Sequence, residues 1–153
     1  MEFHSVFRIR REKPLVSLHE IALPVTTLAR TGVWRFRGFW IDCEKWDEFE
    51  SRRSAEFVVD DYDVVTIFSV DAAEELFRIA SLDWGAVRFA PEEGAEPTFI
   101  ASCVDGAFWV VATASDDISA AMRSLFTAEI SEALADDMEF LSIPSLCPER
   151  SDQ

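Results

Sequence analysis

Alternation of apolar and polar residues marks the strands of this chain. Ser5 to Arg11 alternates in this way and is predicted to be the first strand. The run VWRFRGFWI, residues 33 to 41, predicts a half-buried strand with Arg35 and Arg37 on its polar face. Its apolar face carries Trp34, Phe36, Gly38 and Trp40. Residues 15 to 23, which two prolines bracket, fit either a strand or a short helix.

Further strands are predicted in the middle of the chain. The β-branched runs 57 to 59 and 64 to 70 flank the turn-forming sequence DDYD, and the second run is apolar on both faces, as in a central strand. Residues 84 to 90 predict another strand, followed by an exposed loop, PEEGAEP. An Asp-Gly pair predicts a two-residue hairpin between 98 to 104 and 107 to 114. In that register Phe99, Ala101 and Cys103 share a face with Phe108, Val110 and Ala112.

Three helices are predicted from caps and periodicity. Asp42 caps a helix over residues 43 to 53, with Trp46 and Phe49 on its inner face. Asp71 begins a second helix that extends to about Ser81. Ser115 caps a long final helix. The buried stripe of that helix is Met122, Leu125, Phe126, Ile130 and Ala133, and residues 138 to 143 fit an edge strand after it.

These elements predict an α+β fold formed by a single domain, residues 1 to 153, with a mainly antiparallel sheet and two to four helices packed on it. Hydrophobic residues make up 49% of the 153, including 13 Phe and 5 Trp, so one well-filled core is expected. The three cysteines have no CxxC spacing, which favours a reducing, cytoplasmic location. No window approaches the length of a membrane span, and arginine outnumbers lysine 12 to 2, a usage typical of GC-rich bacterial genomes.

Charge is distributed unevenly along the chain. Residues 1 to 40 hold seven cations against three anions, whereas the remaining residues hold seven against 26, and the net charge is −15. Such a charge attracts basic partners and repels a nucleic-acid backbone. We therefore expect a basic protein partner, with no nucleic acid and no membrane. The cations near the N-terminus are expected to pair with the protein's own acids.

No motif in the sequence indicates catalysis. His4 and His19 have no neighbouring nucleophile or ligand, and the five glycines form no phosphate-binding loop. The DDYD sequence lacks the pattern of a calcium loop. Cys43 lies between Asp42 and Glu44, whose negative charges do not favour a nucleophilic thiol. We expect no catalytic residue, no cofactor and no metal, and hence no enzyme.

The segment from Trp40 to Asp63 is the predicted site. It contains nine acids against three cations, interleaved with five aromatic residues. Aromatic anchors supply affinity for a protein partner, while carboxylates supply encounter rate and selectivity. The opposing interpretation is that Trp46 and Phe49 belong to the core and that the acids are a solvated helix face. The predicted partner-binding residues are Asp42, Glu44, Asp47, Glu48, Glu50, Glu56, Asp60, Asp61, Tyr62 and Asp63.

With this acidic and aromatic segment, the chain resembles the immunity proteins that bacteria make against their own toxic effectors. The resemblance concerns general character and implies a cytoplasmic inhibitor that occludes the active site of a basic toxin or effector domain. A second hypothesis is an effector-binding secretion chaperone, whose helix, strands, hairpin and long terminal helix are similar to the order predicted from Asp71 to Ala135. A chaperone grips its client through apolar grooves, so salt would weaken only the first kind of complex. A third hypothesis is a small enzyme with a dispersed site.

Overall fold

The computed structural model describes residue 3 and residues 5–10, 16–80, 85–105 and 107–142. Eight strands and four α-helices are present in this part of the chain. The strands are β1 (Ser5–Arg10), β2 (Val33–Arg37), β3 (Phe57–Val59), β4 (Val65–Ile67), β5 (Gly85–Ala90), β6 (Phe99–Val104), β7 (Phe108–Thr113) and β8 (Ile130–Glu132). The helices are α1 (Leu18–Leu28), α2 (Cys43–Arg53), α3 (Val70–Ile79) and α4 (Asp116–Leu125), with short 3-10 segments at Ser54–Glu56 and Ala135–Ser142.

The strands form one sheet in the order β3-β4-β2-β5-β6-β7-β1-β8. Every described strand pair is antiparallel. The predicted α+β fold with an antiparallel sheet is confirmed. Its edges, β3 and β8, are each three residues long, and short edge strands offer little backbone for unwanted pairing.

One face of the sheet is covered by helices. Trp34 of β2 and Trp109 of β7 are fully buried on this face. The Trp34 ring lies 5.0 Å from the ring of Phe77 on α3, and the Trp109 indole N–H donates to the carbonyl of Val16 just before α1. Helix α1 lies between α3 and α4, and α2 lies beyond α3, near the β3 edge. The core therefore lies between the sheet and α1, α3 and α4.

The opposite face of the sheet is covered only in part. The 3-10 segment Ala135–Ser142 packs on β6 and β7, where the Ser102 hydroxyl donates to the carbonyl of Phe140 at 2.8 Å. Arg8 of β1 supports this segment, because its guanidinium lies 3.8 Å from the centroid of the Phe108 ring and 3.9 Å from the buried carboxylate of Asp137. The outer surface over β4, β2 and β5 has no such cover in the described residues.

The chain turns earlier than predicted after β2. The strand ends at Arg37 because Gly38 has a positive φ of 96°, which interrupts the extended backbone with a bend. Phe39 consequently enters the core, and Trp40 is 63% exposed rather than aligned with Trp34 on the apolar face. The expectation of one continuous strand to Ile41 was wrong for this reason.

The helical predictions need four corrections. Of the two alternatives for residues 15 to 23, the helix is the one observed, but α1 begins at Leu18 and runs through Pro24 to Leu28, and residue 15 lies outside the described residues. The cap of α3 is Ser69, whose hydroxyl accepts from the amide of Ala72, and not Asp71. Helix α4 ends at Leu125, which is 52% exposed, and Ile130 lies instead in β8 beside β1. Residues 138 to 142 are 3-10 helical rather than an edge strand, and residue 143 lies outside the described residues.

The hairpin has a register one residue away from the prediction. Val104 pairs with Phe108, so residues 105 to 107 form a three-residue connection in which Asp105 has a φ of 51°. Gly106 lies outside the described residues. Because adjacent strand residues point to opposite faces, this shift exchanges the faces of the second strand. Phe99, Ala101 and Cys103 therefore share a face with Trp109, Val111 and Thr113.

Residues 64 to 70 differ from the predicted central strand. Only Val65–Ile67 forms β4, which lies next to the edge strand β3, and Phe68 is exposed. Apolar residues on both sides had suggested cover on both faces, but Thr66 lies on the uncovered face of the sheet. Within the described residues, no helix has both the length and the hydropathy needed to cross a membrane.

Candidate functional site

Helix α2 places the acidic segment beside the end of the sheet. Asp42 begins the helix as predicted, with its carboxylate accepting from the amides of Glu44 and Lys45. The inner face of α2 packs through three rings, in which Trp46 lies 5.6 Å from Phe49 and Phe49 lies 5.1 Å from Phe57 of β3. Phe49 is fully buried and is a core residue, whereas Trp46 is half-buried. The core interpretation is therefore confirmed for Phe49, and Trp46 is only partly buried against the core.

The outer face of α2 carries four exposed carboxylates. These belong to Glu44, Asp47, Glu48 and Glu50. None of the four makes a hydrogen bond or ion pair with another side chain that the structure describes. Spacings of three and four residues bring Glu44, Asp47 and Glu48 onto one side of the helix, where their charges repel each other. A surface of this kind gains from a cationic partner that relieves the repulsion.

Three of the ten predicted site residues have structural roles. Asp42 caps α2, as described above, and Glu56 forms an ion pair with Arg53 at 3.1 Å. The carboxylate of Asp60 accepts from the amides of Tyr62 and Val64 at 2.8 and 3.1 Å, which closes the turn between β3 and β4. These carboxylates satisfy backbone or side-chain donors within the protein. The sequence predicted the capping role of Asp42, but it did not distinguish Glu56 and Asp60 from the unpaired acids.

The turn after β3 extends the acidic surface. Asp61 and Asp63 are exposed, and Asp63 has a φ of 63°, a conformation that aspartate tolerates better than most residues. Tyr62 between them is half-buried. The turn therefore contributes two carboxylates that do not belong to α2.

A groove brings α2 and this turn together. It has a volume of about 630 Å³ and is open to solvent. Glu50 of α2 and Asp63 of the turn both line it, although thirteen positions separate them in the sequence. The remaining lining residues are Phe36, Arg37, Gly38, Phe39, Ile41, Trp46, Val59 and Val65. We call this cavity the aromatic groove, and the exposed carboxylates of α2 and the turn the acidic surface.

Two arginines near the end of α2 fasten this helix to α3. The guanidinium groups of Arg52 and Arg53 both donate to the carboxylate of Glu75, with Arg53 Nε at 3.0 Å. These hydrogen bonds, first that from Arg52, lower the pKa of Glu75 below its usual value. Because both guanidinium groups bind Glu75 of α3, they do not neutralise the carboxylates of the acidic surface. The position of α2 thus depends on one ion cluster and one cluster of rings.

The predicted pairing of N-terminal cations with the protein's own acids holds for some of the described residues, whereas the Arg10 guanidinium donates to the carbonyl of Ala128. Arg8 pairs with Asp137, and Arg30 lies 3.4 Å from Asp71 and 3.6 Å from Glu74. Arg11 and Lys13 lie outside the described residues. The described cations with these partners therefore neutralise the protein's own acids.

The structure describes one histidine and two cysteines, His19, Cys43 and Cys103, and groups none of them with a catalytic partner. His19 on α1 is half-buried, and burial lowers the pKa of its imidazole, with Arg78 adding to the effect. Its Nε2 has no hydrogen-bond partner among the described residues. Cys43 is exposed and Cys103 is buried, while His4 and Cys147 lie outside the described residues. No three His, Cys, Asp or Glu side chains of the described residues are grouped to hold a metal ion.

The aromatic groove and the acidic surface are therefore the arrangement from which a function can be argued. No protein-family model matches the chain, and no curated protein or solved structure matches it either.

Proposed function

We propose that this chain binds a basic surface of a folded protein through the acidic surface and the aromatic groove. The observation that carries the proposal is a set of unpaired, exposed carboxylates on α2 and the turn after β3, two of which, Glu50 and Asp63, line a groove whose wall includes Trp46. Complementary charge accelerates association with a cationic partner, and a partly buried aromatic wall supplies contact area that excludes water. Binding of this kind is what an immunity protein uses to occlude the active site of a toxin or effector domain.

The contacts of each acid within the protein support a division of the acids into two groups. The unpaired residues Glu44, Asp47, Glu48 and Glu50 are the proposed contacts, together with Asp61 and Asp63. Asp42, Glu56 and Asp60 support the surface by holding α2 and the turn in place. Tyr62 contributes its exposed part beside the two aspartates of the turn. This division separates variants that alter binding from variants that alter the fold.

A charge-reversal experiment tests the proposal. The triple variant Glu44→Lys, Asp47→Lys, Glu48→Lys reverses the outer face of α2, and its matched control reverses the exposed loop residues Glu92, Glu93 and Glu96. Both variants change the net charge equally, so a global charge effect would appear in both. We expect capture of a basic partner from a native lysate of the source organism by wild type and control at low salt, and its loss in the α2 variant. Equal capture by all three proteins would refute the role of α2.

Kinetic measurements with the captured partner sharpen this test. Loss of complementary rim charge mainly slows association, so we expect the association rate constant of the α2 variant to fall by about tenfold. The dissociation rate constant should change much less. Raising the salt concentration should slow association of wild type toward the rate of the variant.

An apolar groove favours a second candidate function, binding of an unfolded client as a secretion chaperone does. It lies between α1 and α4, has a volume of about 500 Å³ and includes Leu28 and Leu125, which are 56% and 52% exposed. The short α4 departs from the long terminal helix that supported this hypothesis. A partner that remains bound in high salt, and is lost when Leu28 and Leu125 are changed to serine, would identify the chaperone activity.

A further inference from the structure

A second cavity lies on the uncovered half of the sheet, away from the proposed protein-binding surface. It has a volume of about 390 Å³, within the range of sites for small molecules. Strands β2, β4 and β5 and the loop of residues 91 to 97 line it. Its polar side chains are Arg35, Thr66, Arg88, Glu92 and Glu93.

The two arginines of this cavity are direct cross-strand neighbours. Arg35 of β2 pairs with Arg88 of β5 on one side and with Thr66 of β4 on the other, so three polar side chains form one row. Side chains directly opposite each other in an antiparallel pair have Cβ atoms about 4.5 to 5.5 Å apart, and like charges in that position destabilise the sheet. Both arginines are half-buried, so solvent screens the repulsion between their charges only in part.

These arginines also differ from five of the other described arginines, because they have no anionic partner. Neither guanidinium makes a hydrogen bond or an ion pair with another residue that the structure describes. By contrast, each of five other arginines forms an ion pair with a carboxylate: Arg8, Arg30, Arg52, Arg53 and Arg123. A pair of adjacent, half-buried and unpaired cations in a cavity is an arrangement that an anionic ligand would stabilise.

We propose that Arg35, Arg88 and Thr66 bind the phosphate group of a small ligand. A phosphate monoester carries a charge of roughly −1.5 to −2 and three acceptor oxygens near neutral pH. It therefore matches two guanidinium groups and one hydroxyl, whereas a carboxylate has one charge and two oxygens and needs only one arginine. The cavity leaves space beyond the phosphate for the group esterified to it.

Glu92 and Glu93 restrict the ligands that this site accepts. Both are exposed on the loop at the rim, so water and salt screen their charges more than those of the arginines. Their repulsion adds to the net charge of −15 in opposing a polyanion such as nucleic acid. A single phosphate that lies between the arginines is less affected. The double variant Glu92→Gln, Glu93→Gln should therefore bind phosphate at least twofold more tightly than wild type.

Titration of the labelled full chain tests the proposal. Inorganic phosphate and glycerol phosphate are added separately at constant ionic strength, and backbone amide shifts are followed by NMR. We expect saturable shifts at residues 33 to 37 and 86 to 90, and a dissociation constant at least tenfold weaker in Arg88→Gln and in Arg35→Gln. Tighter binding of glycerol phosphate identifies an ester as the ligand class, and equal binding identifies the free ion. Absence of saturable shifts with both compounds at millimolar concentration overturns the proposal.

Two further variants separate ligand binding from a structural role. Arg123→Gln, which removes an exposed arginine that pairs with Glu132 elsewhere, should bind phosphate as wild type does. Without phosphate, Arg88→Gln should unfold at the same or a higher temperature than wild type, because it removes a like-charge contact. A lower unfolding temperature together with unchanged phosphate affinity would show a structural role and overturn the proposal. If Arg88→Gln does not fold, Arg88→Lys retains the charge but lacks the planar fork, and it should also bind more weakly.

Discussion

Replacement of Phe49 by alanine tests whether the ring cluster under α2 belongs to the core. Transfer of a fully buried phenyl ring from water is worth about 1.5 to 3 kcal/mol. The two ring contacts with Trp46 and Phe57 contribute roughly 0.5 to 1.5 kcal/mol each. We therefore expect Phe49→Ala to lower the free energy of unfolding by about 3 to 5 kcal/mol, which agrees with typical Phe to Ala substitutions in cores.

Urea denaturation followed by far-UV circular dichroism measures this loss. Trp46→Ala is the matched control on the same face of α2, and it should cost less, about 1 to 2 kcal/mol, because the Trp46 ring is already half-exposed. It should instead weaken capture of the protein partner. Hydrogen exchange of Phe49→Ala should show the amides of residues 43 to 53 opening before those of the central strands.

A decrease of less than about 1 kcal/mol in the free energy of unfolding of Phe49→Ala would contradict the core position of Phe49. So would a larger destabilisation of the protein by Trp46→Ala than by Phe49→Ala. In either case the ring cluster would not hold α2 on the sheet, and the position of the acidic surface would need another cause.

Three other variants probe the fold and its response to pH. Glu75→Gln should make the free energy of unfolding less dependent on pH in acid. The pKa of Glu75 is lowered in the folded state, so the ionised carboxylate stabilises the fold fully above about pH 4.5. This stabilisation is lost as the pH falls through the pKa of Glu75 in the folded protein. His19→Gln should remove a loss of stability below about pH 6.5, because the lowered pKa means that the unfolded chain binds a proton more readily than the folded one. Both are measured by urea denaturation across pH, and an unchanged slope in either variant would contradict its assignment. Gly32→Ala should prevent folding or lower the unfolding temperature severely, since Gly32 has a φ of 147° and a Cβ there would lie 2.3 Å from the ring of Phe89. Gly94→Ala, its control, has a φ of 85° but no atom within 4 Å of its Cβ, so it should cost only about 1 kcal/mol of backbone strain; similar unfolding temperatures for the two variants would show that the Phe89 contact is unimportant.

Local signals in the sequence predicted local structure well. The cap at Asp42, the bounds of α2 and the inner positions of Trp46 and Phe49 all follow from spacings within one helix. The exposed PEEGAEP loop follows from its turn-forming composition. These features depend on neighbours that are close in the sequence, so periodicity and capping preferences were sufficient.

Features set by distant partners were missed. The apolar spacing of Ile130 continues the stripe of α4, but the backbone of residues 130 to 132 pairs with β1, more than 120 positions away. Likewise the hairpin register depends on which residues of β7 face Phe7 and Ile9 in the core, and Trp109 and Val111 occupy that face. Burial of the larger apolar set decided between two registers that the Asp-Gly signal alone did not separate.

The candidate site was predicted in composition but not in detail. The number of acids and aromatic residues between Trp40 and Asp63 identified the region, because the net charge of a segment can be read from its sequence without a structure. Which carboxylates are unpaired depends on partners such as Arg53 for Glu56 and the backbone amides for Asp60. The pairing of Arg35 with Arg88 could not be found from the sequence, since it requires the order of the strands.

The position of β1 in the sheet constrains how this protein is made. Strand β1 is synthesised first, yet its two neighbours are β7 and β8, whose residues lie between 108 and 132. During translation, Phe7 and Ile9 therefore remain without their strand partners until β7 and β8 have been synthesised. This apolar strand is therefore made before either of its neighbours in the sheet. A nascent chain that ends before residue 108 contains neither of the strands that pair with β1.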